Sequence, residues 1–226
     1  MGSTLVSEAY HELRRRIDAA AQLAGHEVSL LAVSKTKLAA AIRELAGLGQ
    51  RAFGENYVQE ALTKQRELGD LPLQWHMIGP LQSNKCRDVA ERFDWLQTLD
   101  RVKLIEPLNR FRPEDALPLN VLIQVNIDDE ASKSGCVPDA VLELAKHIAG
   151  ASRLSLRGLM AIPAPNPDPS RCKNAFRQMR GLYERLHKAY PQVDTLSMGM
   201  SEDFTGAIAE GATLVRIGSA LFGRRA

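Results

Sequence analysis

Residues 28–37 read Val28-Ser29-Leu30-Leu31-Ala32-Val33-Ser34-Lys35-Thr36-Lys37. A short apolar run with β-branched side chains ends on two hydroxyl residues and two lysines, and it lacks the glycines of a dinucleotide-binding turn. The run predicts a buried strand that delivers Lys35 to its C-terminal end. Upstream, 5–24 predict an amphipathic helix, with Leu5, Tyr10, Leu13, Ile17, Ala20 and Leu23 at helical intervals and Gly25 as its stop. Downstream the strand unit returns. Runs at 51–54, 74–78, 95–99, 120–127, 155–162, 195–198 and 213–217 predict seven further strands. Segments such as 39–48, 57–68, 101–110, 139–149, 171–190 and 204–210 predict helices between them.

Strands that alternate with helices pair in parallel, because each return crossover needs about a dozen residues. Eight such units in a chain of 226 residues predict an α/β fold, a (β/α)8 TIM barrel with an extra N-terminal helix, as one domain over 1–226. A doubly wound open sheet is the alternative, disfavoured by the glycine-free turn after the first strand. Pro163, Pro165, Pro167 and Pro169 alternate, which predicts an extended loop after the sixth strand.

Composition narrows the function. With 45% hydrophobic and 25% charged residues, the chain can bury a sizeable core. Twenty-nine basic against 27 acidic residues, a net charge of +2, predict no affinity for nucleic acid or anionic membrane. Cys86, Cys136 and Cys172 form no Cys-x-x-Cys pair, so neither a disulfide framework nor a metal site is expected. The N-terminal stretch has no signal-peptide core, and no apolar run reaches the roughly 18 residues of a membrane span. A cytoplasmic protein acting on a small molecule is the expectation.

In a barrel of this type the chemistry lies at the C-terminal ends of the strands. Those ends carry Lys35, Asn56, His76, Met198-Gly199-Met200-Ser201 and Arg216-Ile217-Gly218-Ser219. An apolar strand that ends in lysine can hold a neutral amine able to attack a carbonyl, or simply a solvated cation. Lys37 reads as an ordinary charge at the start of a helix. Gly199 and Gly218 permit close backbone approach, and Ser201 and Ser219 offer hydroxyls, the makings of a phosphate site after strands seven and eight. Ser201 followed by Glu202 and Asp203 also reads as a helix cap. Arg216 can serve phosphate, a ring nitrogen or an internal carboxylate such as Glu210. His76, between Trp75 and Met77, reads as a core histidine more readily than as a base.

A strand-end lysine and a phosphate cradle after strands seven and eight together suggest a pyridoxal phosphate barrel. The stretches LLAVSKTK, FGENYVQE, LQWHMIGPLQSNK, LNVLIQVNIDDEASKSG, RGLMAIP and LSMGMSEDFTGAIAEGATLVRIGSALFG closely resemble the pyridoxal phosphate homeostasis protein family along essentially the whole chain. The resemblance implies a fold-type III barrel, similar to the N-terminal domain of alanine racemase, with pyridoxal 5′-phosphate as cofactor and Lys35 as its internal aldimine. It puts Ser201, Gly218 and Ser219 around the phosphate, Arg216 near the pyridine nitrogen, and Asn56, His76 and Met200 around the cofactor cavity. Lys133 is implied as a second lysine in cofactor exchange.

Arginine cannot accept a proton, so at a pyridine nitrogen it weakens the ring as an electron sink. The sequence also ends soon after the eighth strand, without the second domain of alanine racemase. The expectation is a monomeric carrier, involved in pyridoxal phosphate homeostasis, that holds the cofactor as a Schiff base and releases it to apo-enzymes in transient contact. It has no catalytic residue of its own. An amino acid racemase is the competing class, and a cofactor-free barrel enzyme acting on a phosphorylated sugar is a third.

Overall fold

The computed structural model describes residues 2–128, 130, 134–163 and 169–223; Lys133 and, from the expected loop, Pro165 and Pro167 lie outside them, while Pro169 begins a helix. Eight parallel strands, β1 (Ser29–Val33), β2 (Ala52–Glu55), β3 (Gln74–Met77), β4 (Trp95–Leu99), β5 (Leu119–Gln124), β6 (Leu154–Met160), β7 (Thr195–Ser197) and β8 (Leu214–Ile217), close into a barrel in sequence order. Closure is made by β1 on β8, with Leu31 opposite Arg216. The closed barrel overturns the open-sheet alternative.

The helices are α1 (Gly2–Ala24), α2 (Ala39–Gly47), α3 (Val58–Glu67), α4 (Cys86–Arg92), α5 (Ile105–Phe111), α6 (Val141–Ala149), α7 (Pro169–Ala189), α8 (Phe204–Ala209) and α9 (Ser219–Phe222). Helix α4 has no counterpart in the sequence reading, because CRDVAER spans barely two turns and offers too few apolar positions for a helical period to show. Among the described residues no helix is long and apolar enough to cross a membrane.

Strand alternation sorts the core into two layers. Leu30 and Ala32 join the large cluster beneath the helices, while Leu31 packs inside the barrel with Ile78 and Leu214. Trp95, Leu122 and Met160 form a second inner cluster. The period of two that sends Leu31 and Val33 inward also directs Lys35 toward the barrel mouth.

Helix α1 packs against α2, α8 and α9, and the last two directly precede and follow β8. Tyr10, Leu13 and Ile17 are buried, and Arg16 stacks over the Phe204 ring at 4.9 Å. Leu23 departs from the expected stripe and is 91% exposed. At about 100° per residue, Ala24, two turns after Ile17, continues the buried face and Leu23 falls off it. Ile17→Ala removes a fully buried side chain and is expected to cost about 2 to 5 kcal/mol in urea denaturation. A change inside about 0.5 kcal/mol would mean that α1 does not brace the barrel.

Candidate functional site

A cavity of about 850 Å³ opens at the C-terminal ends of the strands, within the size range of small-molecule sites. Lys35, Asn56, Met200, Ser201, Arg216, Gly218 and Ser219 all line it. His76, the eighth candidate, does not.

Lys35 is half-buried, and its amine makes no hydrogen bond or ion pair among the described residues. Lys37 is engaged elsewhere: its Nζ donates to the carbonyls of Phe222 at 3.1 Å and Gly223 at 3.5 Å, tying the turn after β1 to the chain after β8.

Opposite lies the seam between the ends of β7 and β8. The Ser219 hydroxyl donates to Ser201 Oγ at 3.0 Å, which also accepts from the Ala220 N–H at 3.4 Å. Ser201 therefore bridges two loops and does not cap α8, whose N-cap position is Asp203. Asp203 Oδ1 in turn accepts from the Met200 N–H at 2.6 Å. Among the described residues the amides of Ser201, Glu202, Gly218 and Ser219 have no hydrogen-bond acceptor. Such a concave group of hydroxyls and free N–H donors suits an oxyanion. Two glycines permit the close seam. Gly199 has φ +93°, and a Cβ there would lie 2.6 Å from that of Ala207, while one at Gly218 would crowd the Val33 carbonyl at 3.2 Å.

Arg216 reaches the cavity from inside the barrel. It is 4% exposed, and its guanidinium donates to Ser197 Oγ at 2.8 Å and the Ala161 carbonyl at 2.9 Å. Neither bond involves Glu210, which pairs instead with Arg177 and Lys173 on α7. Burial lowers the Arg216 pKa to about 10, against the opposing field of Asp203, so the group stays charged at neutral pH.

The bonds continue inward. Ser197 donates to Gln97 Oε1 at 2.7 Å, and the Gln97 amide donates to His76 Nδ1 at 2.9 Å. This leaves the His76 proton on Nε2, facing Gln74 Oε1 at 3.1 Å. The imidazole stacks on Trp95 with ring centroids 5.1 Å apart, and burial depresses its pKa from 6.5 to about 3. His76 is thus a neutral acceptor one layer below the cavity, where the period of two along β3 puts it. Reading along β3 could not show that a glutamine on β4 links it to Arg216.

Three further features were missing from the sequence reading. Gln97 and Ser197 are links whose strands meet only in the closed barrel. Asn56 Oδ1 is buried at the cavity wall without a partner among the described residues, and Gly79 admits the Asn56 carbonyl, since a Cβ there would lie 2.1 Å from that oxygen. Behind the β1 turn, Lys64 on α3 is buried with Glu55 and Glu60 in an ion cluster. Burial raises the Glu55 pKa, although Lys64 and Ser34 both pull it down. A sequence clue existed in the four-residue spacing of Glu60 and Lys64, but nothing local predicts that Lys64 turns inward. No group of metal-ligating side chains occurs among the described residues.

The fold and the seam at β7 and β8 define the class as an alanine racemase N-terminal type barrel: the family described as "Alanine racemase, N-terminal domain" matches residues 9–226. Within that class, the chain belongs to the pyridoxal phosphate homeostasis protein family. The protein of that name from Pseudomonas aeruginosa is 52% identical over 223 residues, covering 97% of this chain and 96% of its own. Its counterpart from Escherichia coli K12 is 54% identical over 220 residues, covering 95% and 94%. Among solved structures, PipY of Synechococcus elongatus with PLP bound matches with a TM-score of 0.85 at 38% identity, covering 96% of this chain and 100% of PipY.

The buried imidazole sets a pH dependence. Folded His76 takes up a proton only near pH 3, whereas unfolded it does so near 6.5. Acid therefore favours the unfolded chain in that window: the contribution is intact above 6.5 and is lost as pH falls toward 3. His76→Gln is expected to flatten the stability profile between those limits, measured by urea denaturation at a series of pH values. An unchanged slope would place the acid sensitivity in other groups.

Proposed function

We propose that this cavity holds pyridoxal 5′-phosphate, and that the chain stores and releases it in pyridoxal phosphate homeostasis without turning over a substrate. The reading is carried by one observation: an unengaged primary amine, Lys35, shares a cavity with two hydroxyls and four unpartnered amides. When bound, the cofactor supplies a phosphate dianion and an aldehyde that condenses with a primary amine to a Schiff base.

Each residue has a part that its chemistry supports. Lys35 offers the amine. Ser201 and Ser219, with the adjoining amides, bind phosphate through charge-assisted hydrogen bonds, and Gly218 admits it to the backbone. Asn56 presents its buried acceptor, and Met200 adds apolar wall. Arg216 only donates, so against a ring nitrogen it keeps that nitrogen unprotonated and limits carbanion stabilisation. His76 acts through Gln97 and Ser197 by fixing Arg216. Storage needs reversible capture; turnover needs carbanion stabilisation and a second positioned acid or base. In this reading the chain works as a monomer over 1–226 and meets apo-enzymes transiently.

Titrating the protein with pyridoxal phosphate, reducing with borohydride and mapping peptides is expected to place the label on Lys35. Ser201→Ala in the same titration is expected to weaken binding about 10 to 150-fold and to leave pyridoxal without phosphate nearly unaffected. Label on another lysine, or equal weakening of both ligands, would overturn the assignment. Storage is separated from turnover by incubating the loaded protein with L- and D-amino acids in deuterium oxide. Exchange of the α-hydrogen is expected to stay far below about 1 per second, and exchange at or above that ordinary enzymatic rate would replace the storage reading with a racemase.

A further inference from the structure

Lys64 lies beneath the turn that carries Lys35, with its side chain only 6% exposed. Its ammonium has three protons and three acceptors: the Ser34 carbonyl, Glu55 Oε1 and Glu60 Oε1, each at 2.7 Å. Glu60 Oε1 also accepts the Thr36 N–H at 2.5 Å, and Glu55 Oε1 accepts the Ser34 hydroxyl at 2.5 Å. The Ser34 carbonyl and the Thr36 N–H belong to the two peptide units that flank Lys35. Both are therefore held by one ion cluster, while the Lys35 side chain is left unengaged.

Thr36 has φ +64°, the only positive φ outside glycine among the described residues. A β-branched residue seldom adopts this conformation, and it persists where surrounding bonds over-determine it. Here the bond from Thr36 to Glu60 does so together with the Lys37 N–H, which closes the turn onto the Ser34 carbonyl at 3.0 Å. A buried ion cluster is a poor way to add stability, because apolar residues of similar volume serve as well or better. Its location under a strained turn beside the amine points to geometry as its contribution.

We propose that Lys64, together with Glu55 and Glu60, is the positioning device for Lys35. The cluster fixes both peptide units around Lys35, directs the amine into the cavity and, by pairing Glu60 with Lys64, gives that carboxylate a cation other than Lys35. This rests on Lys35 as the reactive amine of the proposed function, yet it can be tested without the cofactor.

Lys64→Met combined with Glu55→Gln removes the buried charges at nearly constant volume and leaves Glu60 seeking a cation. Reductive methylation with formaldehyde and cyanoborohydride, followed by peptide mapping, reads the reactivity of Lys35 against the exposed lysines of the same chain. The double variant is expected to keep its melting temperature and its affinity for an aldehyde-free pyridoxine phosphate analogue, while Lys35 methylation falls about tenfold to a hundredfold. Lys35 methylated at the unaltered rate in the folded variant would overturn the proposal. Should the double variant not fold, Glu60→Ala, at a side chain 26% exposed, releases the Thr36 N–H and removes one of the three acceptors of Lys64; a fall in Lys35 methylation supports the proposal and an unchanged rate overturns it. Slower methylation in a chain that never takes up pyridoxal phosphate would uphold the positioning role and refute the proposed cofactor.

Discussion

A guanidinium inside a closed parallel barrel must have its donors met, because an unpaired buried charge costs several kcal/mol. Two of the Arg216 donors are met by Ser197 and the Ala161 carbonyl, and each partner imposes its own demand. The Ser197 hydroxyl donates to Gln97, and the Gln97 amide donates to His76. The donors all point the same way, from the cavity inward, so His76 must be neutral for the row to close. Its burial keeps it so. What lies at the cavity floor is thus a positive group with fixed orientation, held by β3, β4, β6, β7 and β8 together.

The mouth is built on a contrast between saturated and unsaturated groups. Lys37, Lys64, Asp203 and Glu60 all have protein partners, and they hold the loops after β1, β7 and β8 in place. Among the described residues Lys35 and the amides of Ser201, Glu202, Gly218 and Ser219 are left without them. Rigid loops around unsatisfied polar groups are what a binding site for a charged ligand requires, since the donors are oriented before the ligand arrives. Helix α1 extends the same logic outward, bracing α8 and α9 from behind.

Much of this was legible along the chain. Alternation of apolar runs and helical segments specifies parallel crossovers, and eight of them specify closure. Lys35 could be singled out because a strand's period of two and its C-terminal end are both local properties. Ser201, Gly218 and Ser219 were readable for a similar reason, as small and hydroxyl residues at two successive strand ends. Leu23 shows the limit even of local reading, because a helical stripe can be counted one position wide of the face that is buried.

The sequence by itself determined the alternation of strands and helices and put seven of the mouth residues at strand ends, since these follow from periodicity and turn chemistry within a few positions of chain, while the class of barrel came from the resemblance of longer stretches. Only the tertiary structure decided what those residues touch. Ser197 and Gln97 are 100 positions apart, and Lys64 reaches the Ser34 carbonyl across 30. Such pairs are fixed by the stagger of strands in a closed sheet and by the seating of α3 against β2. That stagger emerges only when every strand has found both neighbours, which is why His76, a core histidine by its neighbours in sequence and a cavity residue by the resemblance, lies one layer beneath the cavity in the fold.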